Sequence, residues 1–326
     1  MNFIKNEDGA ALLSVLLLVS VMSAAMVTTF DVLGFYTRQT VTKSHSYQAT
    51  QYALAAEIIG ANEAVDLAKN SELVALLGQS GNPQKVSFPF ENGTVTGTLE
   101  EYTNCFNLSS VVVAGSGDGF ELNQTGYDQY IKLLEELGIG ERQAISLASA
   151  LVDWQDTDDR PMPSGAEGFV YSQMEVPYRA ANYPITEIRE LRLVRGYNSE
   201  LVDRLGNLSC VDKRSMMTTI NLNSAKTEDA SLINALLGLS LSQQDVVTIL
   251  KARPETGYDH VARFWDHGFL KDRKINSQIR QQFLITPKRY KIGIDVSLDG
   301  ARVKMESLVY INDDGTFDLI SRKFGV

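Results

Sequence analysis

Twenty-one consecutive residues near the start of the chain, "AALLSVLLLVSVMSAAMVTTF" at 10–30, carry no charge. A helix of about 20 such residues spans the hydrocarbon core of a bilayer. The segment must be removed, or be held where water is excluded. Read as an export signal, it has an apolar core at residues 12–22 and small residues suited to cleavage at Ser23, Ala24 and Ala25. Read as a retained segment, it does not end at residue 30. No proline occurs between residues 31 and 69, and Val41, Tyr52, Ala56 and Ile59 recur at helical intervals. One helix over residues 10–69 would then be about 90 Å long. Its first half would lie in the membrane and its second half would turn an apolar stripe toward a folded domain. Flanking cations decide little, with Lys5 on one side and Arg38 and Lys43 on the other.

The rest of the 326-residue chain mixes two periodicities. "VSFPFENGTVTGTLEEY" at 86–102 predicts two strands around a turn at Glu91, Asn92 and Gly93. From about Asp128 to Leu284 the spacing is helical, as in "YDQYIKLLEELGI" and "ERQAISLASALVDW". Alternation returns in "RYKIGIDVSLDGARVKMESLVYINDDGTFDLISRKF" at 289–324, with turns at "LDG" and "DDG". A helical block thus interrupts a small β region. A net charge of −10 argues against nucleic acid as a partner. The only cysteines are Cys105 and Cys210. In an exported chain they are expected to form one disulfide, the alternative being two reduced, buried thiols. The closed loop of about 100 residues would stabilise the fold by roughly 4–5 kcal/mol in the chain-entropy model. No zinc-protease, serine-hydrolase or phosphate-loop spacing is present, and His45, His260 and His267 form no metal set. Trp154 and Trp265 are expected in the core. Nothing supports an enzyme.

A polar leader ending in Gly9, an apolar helix, and an amphipathic continuation containing "YALAAE" resemble the type IV prepilin-like proteins. In that family a prepilin peptidase cuts after the glycine, here between Gly9 and Ala10, and the retained N-terminus is methylated. The residue before Gly9 is Asp8, where the family usually carries Lys or Arg. The fifth residue after the cut is Ser14, where most pilins carry Glu. A carboxylate inside a bilayer is costly unless paired, and a subunit with no neighbour ahead of it has no amine to neutralise. Together with "LVDWQDTDDRPMPSGAEGFVYSQMEVPYRAANYPITEIRELRLVRG" at 151–196, this resembles the large minor pseudopilins of type II secretion, the general secretion pathway protein K family.

The resemblance implies an α+β chain. A long N-terminal helix, transmembrane and then amphipathic, leads into a small pilin-like antiparallel sheet that carries a large inserted all-α domain with sterile-alpha-motif-like hairpins. The corresponding boundaries are a leader at 1–9, a transmembrane part at 10–33 and a periplasmic helix at 34–70. The α/β domain takes residues 71–110 and 285–326, and the insertion residues 111–284. It also implies a single-pass protein of the bacterial inner membrane with its large domain in the periplasm. Implied partners are smaller minor pseudopilins, the major pseudopilin and the peptidase, with the secretin or an exported protein at the tip. The alternative is a membrane-anchored or signal-cleaved periplasmic binding protein outside any filament. A third reading, DNA uptake, rests on the hairpins around Gly196 and Gly238, but "LLGLSLSQQ" at the second turn lacks any cation.

The acidic loop carries Asp153, Asp156, Asp158 and Asp159 within seven residues, followed by Glu167. Carboxylates this dense repel one another unless a cation or several donors intervene. Asp156, Asp158 and Glu167 match positions one, three and twelve of an EF-hand, but Arg160 and Pro161 break the pattern. The bare residues fit a solvated loop as well as a metal site. The resemblance implies calcium, with Asp156, Asp158, Asp159 and Glu167 as ligands and Asn182 and Glu190 in second rank.

Overall fold

A computed structural model describes residues 8–80, 83–115, 117, 119–239 and 241–325. Residues 1–7 of the expected leader lie outside the described residues. The N-terminal helix α1 runs unbroken through Asp8–Ala68, and it contains the one described segment long and apolar enough to cross a membrane. Side chains from Ala11 to Tyr47 are nearly all exposed, and packing begins at Ala49. There Ala49, Ala53, Ala61 and Ala64 are fully buried, because small residues on one face let the helix lie close to a sheet. A Cβ on Gly60 would approach Ile292 to 3.0 Å. After α1, Asn70 caps the short helix α2 (Ser71–Ser80), its side chain accepting from Leu73 N–H at 3.0 Å.

The sheet contains β1 (Gln84–Phe90), β2 (Gly93–Glu101), β3 (Arg289–Leu298), β4 (Ala301–Ile311) and β5 (Phe317–Phe324), hydrogen-bonded in that order. Every pairing is antiparallel. Asp299 and Gly300 between β3 and β4 both have positive φ, 45° and 82°, as a two-residue hairpin turn that follows the strand twist requires. Leu99, Ile292, Ile294, Val296, Met305 and Val309 project from one face into a core shared with α1. At the rim of that core, Glu57 of α1 meets Ser307 and Arg322, with Arg322 Nε 3.0 Å from Oε1 and 3.1 Å from Oε2.

Between the neighbouring strands β2 and β3 the chain departs into a helical unit with its own core. That core gathers α3 (Gln124–Glu136), α4 (Glu141–Gln155), α6 (Ser199–Gly206), α7 (Ala230–Leu237) and α8 (Gln243–Lys251), with the short α5 (Gly168–Ser172) at its margin. Trp154 and Trp265 are buried in it as expected. Gly238 closes α7 with φ 61°, and Ser242 and Asp245 form a capping box at the start of α8, so the second expected hairpin forms. The first forms only in part. Residues 182–187 are irregular, Ile188–Leu193 is a 3-10 segment, and only α6 beyond Gly196 is α-helical. Its polar groups are drawn into tertiary bonds instead, with Ile185 N–H donating to Gln155 Oε1 at 2.9 Å.

The two crossings are stitched together. Tyr102 N–H donates to Arg289 O at 2.8 Å, and Thr103 Oγ accepts from Lys288 and Arg289 N–H at 2.9 and 3.2 Å. Phe106, Leu108 and Val111 already belong to the helical core. The first junction therefore lies near residue 102 rather than 110, because the apolar side chains after Tyr102 face the helices. Cys105 and Cys210 are bonded, their Cα atoms 5.6 Å apart. Beside them the buried Arg289 guanidinium lies 3.6 Å from the Asp212 carboxylate.

Candidate metal centre

Helix α4 ends in the acidic loop. Asp153 sits in its last turn and Asp156 is its C-cap, the end of a helix where unsatisfied carbonyls already make the field negative. The chain then loops out and returns Glu167 as the N-cap of α5. One oxygen from each of Asp153, Asp156 and Glu167 falls within 4.8 Å of the others. The three residues are 0%, 6% and 4% exposed. Asp153 is held by Met162 N–H, at 3.0 and 3.2 Å from its two oxygens. Asp156 Oδ1 is buried without a hydrogen-bond partner, and the two buried Glu167 oxygens have at most a weak approach from Gly168 N–H.

Orphaned buried carboxylate oxygens are expensive, and the electrostatics register it. Burial, then the neighbouring charges of Glu167, Asp153 and Asp158, push Asp156 up to about 8. Burial, then Asp153, push Glu167 up to about 7, against a lowering bond from Gly168 N–H. Burial also raises Asp153, opposed by backbone bonds from Met162 and Ala166 and by the charge of Arg195. A hard divalent cation bound by oxygens would remove this penalty, since calcium takes six to eight oxygens.

The loop is built to bring these groups together. Gly165 lies so close that a Cβ would stand 2.0 Å from Asp153 Oδ2. Ser164 adopts φ 71° and Asn182 φ 45°, conformations uncommon for residues with a Cβ. Arg195 Nη1 ties the loop down by donating to Gly165 O at 2.9 Å. Trp154 Nε1 donates to Glu190 Oε1 at 2.9 Å, and Thr186 N–H to Glu190 Oε2 at 3.0 Å.

The expected ligand set is therefore redistributed. Asp156 and Glu167 come together. Asp158 and Asp159 are exposed, and Asp158 Oδ1 accepts from Arg160 N–H at 2.7 Å. Asp153, passed over as a ligand, is the third carboxylate. Its signal was readable: Asp153 and Asp156 are three apart, which on a helix places them on one face. Both Glu190 oxygens are committed to Trp154 and Thr186, and Asn182 contributes its backbone N–H to Trp154 O at 3.0 Å. At the other end of the molecule, Gly9 and Ala10 have helical backbone within α1.

Comparison with known proteins places these observations in a family. The family described as "Type II secretion system (T2SS), protein K" matches residues 104–213 and 220–286. Type II secretion system protein K of Aeromonas hydrophila is 32% identical over 259 residues, covering 78% of each chain. The protein of that name from Klebsiella pneumoniae is 28% identical over 324 residues, covering 98% of this chain and 97% of the relative. Among solved structures, a chain of the GspK-GspI-GspJ complex from the enterotoxigenic Escherichia coli type 2 secretion system shares the fold. The TM-score is 0.68 at 21% identity, over 88% of this chain and 99% of that one.

Proposed function

Since this chain belongs to the type II secretion system protein K family, we propose that it is the minor pseudopilin that starts and crowns the secretion pseudopilus. The observation that carries this reading is α1. A single helix is exposed and apolar through its first half and packed on a sheet through its second. Such a helix anchors the chain in the inner membrane and, once extracted, offers its apolar surface to like helices. The periplasmic half then docks beside the smaller minor pseudopilins; the Escherichia coli structure of the same fold is of a GspK-GspI-GspJ complex. The helical unit of residues 102–288, far wider than α1, sits above and leaves no room for a subunit ahead of it. Ser14 fits that position, since a first subunit has no preceding amine for a buried Glu to meet. Seated there, the chain primes addition of the major pseudopilin beneath it and so supports export across the outer membrane.

Leader removal between Gly9 and Ala10 belongs to the same reading. Asp153, Asp156 and Glu167 would hold calcium, which would neutralise the acidic loop and lock α4 to α5. The residues' role is to gather oxygens at one point and to exclude water from them.

The test is the mass of the N-terminal peptide from membranes that also contain a prepilin peptidase. A start at Ala10, with co-purification of smaller pseudopilins, is the expected outcome. A start at Met26 would make the apolar stretch an export signal and end the filament reading.

A further inference from the structure

We propose that the partner-binding surface of the sheet domain is a trough between α1 and the free edge strand β1, shaped to receive the apolar face of another pilin-like subunit's helix. The proposal rests on the filament reading above.

Helix α1 lies over β2, β3 and β4 and reaches β5, while Val86 and Phe88 of β1 stay outside the core it covers. Phe90, Phe88 and Val86 alternate along β1 and so share a face. Phe90 marks that face as the helix side, because its ring lies 5.2 Å from Tyr52 of α1. Val86 and Phe88 nonetheless remain 50% and 62% exposed, and on the helix Tyr52 and Ile59 are 46% and 67% exposed. Tyr52 and Ile59 are seven residues apart, two helical turns, and thus stack along one line.

Gly97 forms the floor between these two walls. It pairs with Val86 and lies on the same face as Val95 and Leu99, both of which contribute to the helix–sheet core. A Cβ at Gly97 would meet no atom within 4 Å, so its hydrogen leaves an open notch rather than relieving a contact. An apolar side chain from a partner can enter there.

Lipid is not the occupant. Tyr52 lies 19 residues beyond residue 33, about 28 Å up the helix from the expected end of the membrane span. An added strand is disfavoured too. The two-residue turn after Phe90 directs the N–H groups of Val86, Phe88 and Phe90 toward β2 and those of alternate residues outward. At one of the outward positions stands Pro89, which has no N–H, and at another Lys85, a residue that blunts edges. Recognition therefore runs through side chains, as when a helix lays an apolar face into a groove. Below the trough Val41, exposed and 11 residues before Tyr52, lies about three turns down nearly the same line of α1, so one partner helix can follow both.

The experiment uses the full chain in membranes with its smaller minor pseudopilins. A photo-crosslinking residue at position 88 is expected to capture the N-terminal helix of a smaller pseudopilin. Gly97→Leu, which fills the notch, and Phe88→Asp are each expected to reduce co-purification about tenfold or more, the scale of losing a buried aromatic anchor. Melting of the purified variants should match the unmodified chain, since both sites face open space. If the unmodified chain recovers its partners but both variants do so equally well, the trough is not the docking site and the filament reading survives. Capture of a second copy, of lipid or of a partner's strand at position 88 would overturn the proposal. If the unmodified chain recovers no pilin-like partner at all, the filament reading itself falls.

Discussion

Gly165 shows how little room separates the carboxylate centre from its own loop. Replacing it with Ala would push a methyl group into the Asp153 carboxylate, at a cost of about 1–3 kcal/mol for overpacking. If calcium occupies the centre, adding it at about 100-fold its Kd stabilises the folded chain by about 2.7 kcal/mol. Heating with calcium and with chelator should then give midpoints about 5–10 °C apart for a domain of this size. Asp156→Asn should abolish most of that difference, while Asp159→Asn, out on the exposed loop, should leave most of it. An unchanged midpoint on chelation would remove the metal from the account. Arg289 poses a different problem, because it is buried beside an equally buried Asp212. Arg289→Ala leaves that carboxylate only its bonds to Arg214 and should cost up to about 3–5 kcal/mol in urea unfolding, whereas Arg289→Met with Asp212→Leu should recover much of the loss.

At the scale of elements, α1 adheres to the sheet through small apolar residues and the ionic contact of Glu57 with Arg322. Burial pushes Glu57 upward, but hydrogen bonds from Arg322 and Ser307 outweigh it and hold the carboxyl below its ordinary 4.5. A group whose folded value is depressed contributes stability above its unfolded value and loses it as the pH falls through the folded one. Glu57→Gln should therefore destabilise the chain at pH 7 and have progressively less effect below about pH 4.5, which urea midpoints at pH 7 and pH 3 would reveal. The strands and α1 were legible because one face of each is buried and the period of the pattern survives. The hairpin expected at residues 185–205 forms only in part, for a definite reason. Glu190, Ile185 and Thr186 look like a helical run, but Thr186 N–H turns to the Glu190 side chain, while Glu190 and Ile185 are bonded to Trp154 and Gln155 on α4. Such bonds join distant residues and leave no local period.

Across the whole molecule, two cores are joined by a junction that sequence reading placed eight residues late. Phe106, Leu108 and Val111 are apolar, and nothing in their spacing says which of two cores they enter. The disulfide was anticipated from export alone, and its partners span 105 residues. Reduction should cost roughly 4–5 kcal/mol in the chain-entropy model, visible as a lower unfolding midpoint in dithiothreitol with no change in α1. The carboxylate centre was half legible: its neighbourhood followed from charge density, while its membership depended on which way the loop turned after Asp156.

Glu101 faces Tyr290 across β2 and β3 as regularly as any pair in the sheet. Topologically, then, everything from residue 102 to residue 288 is the loop of an ordinary β-hairpin. A meander of five strands needs no rethreading to accommodate it, and a tight turn could stand in its place. A lineage could thus have acquired its crown in one step, as a graft between two adjacent positions, and kept the stem it already had.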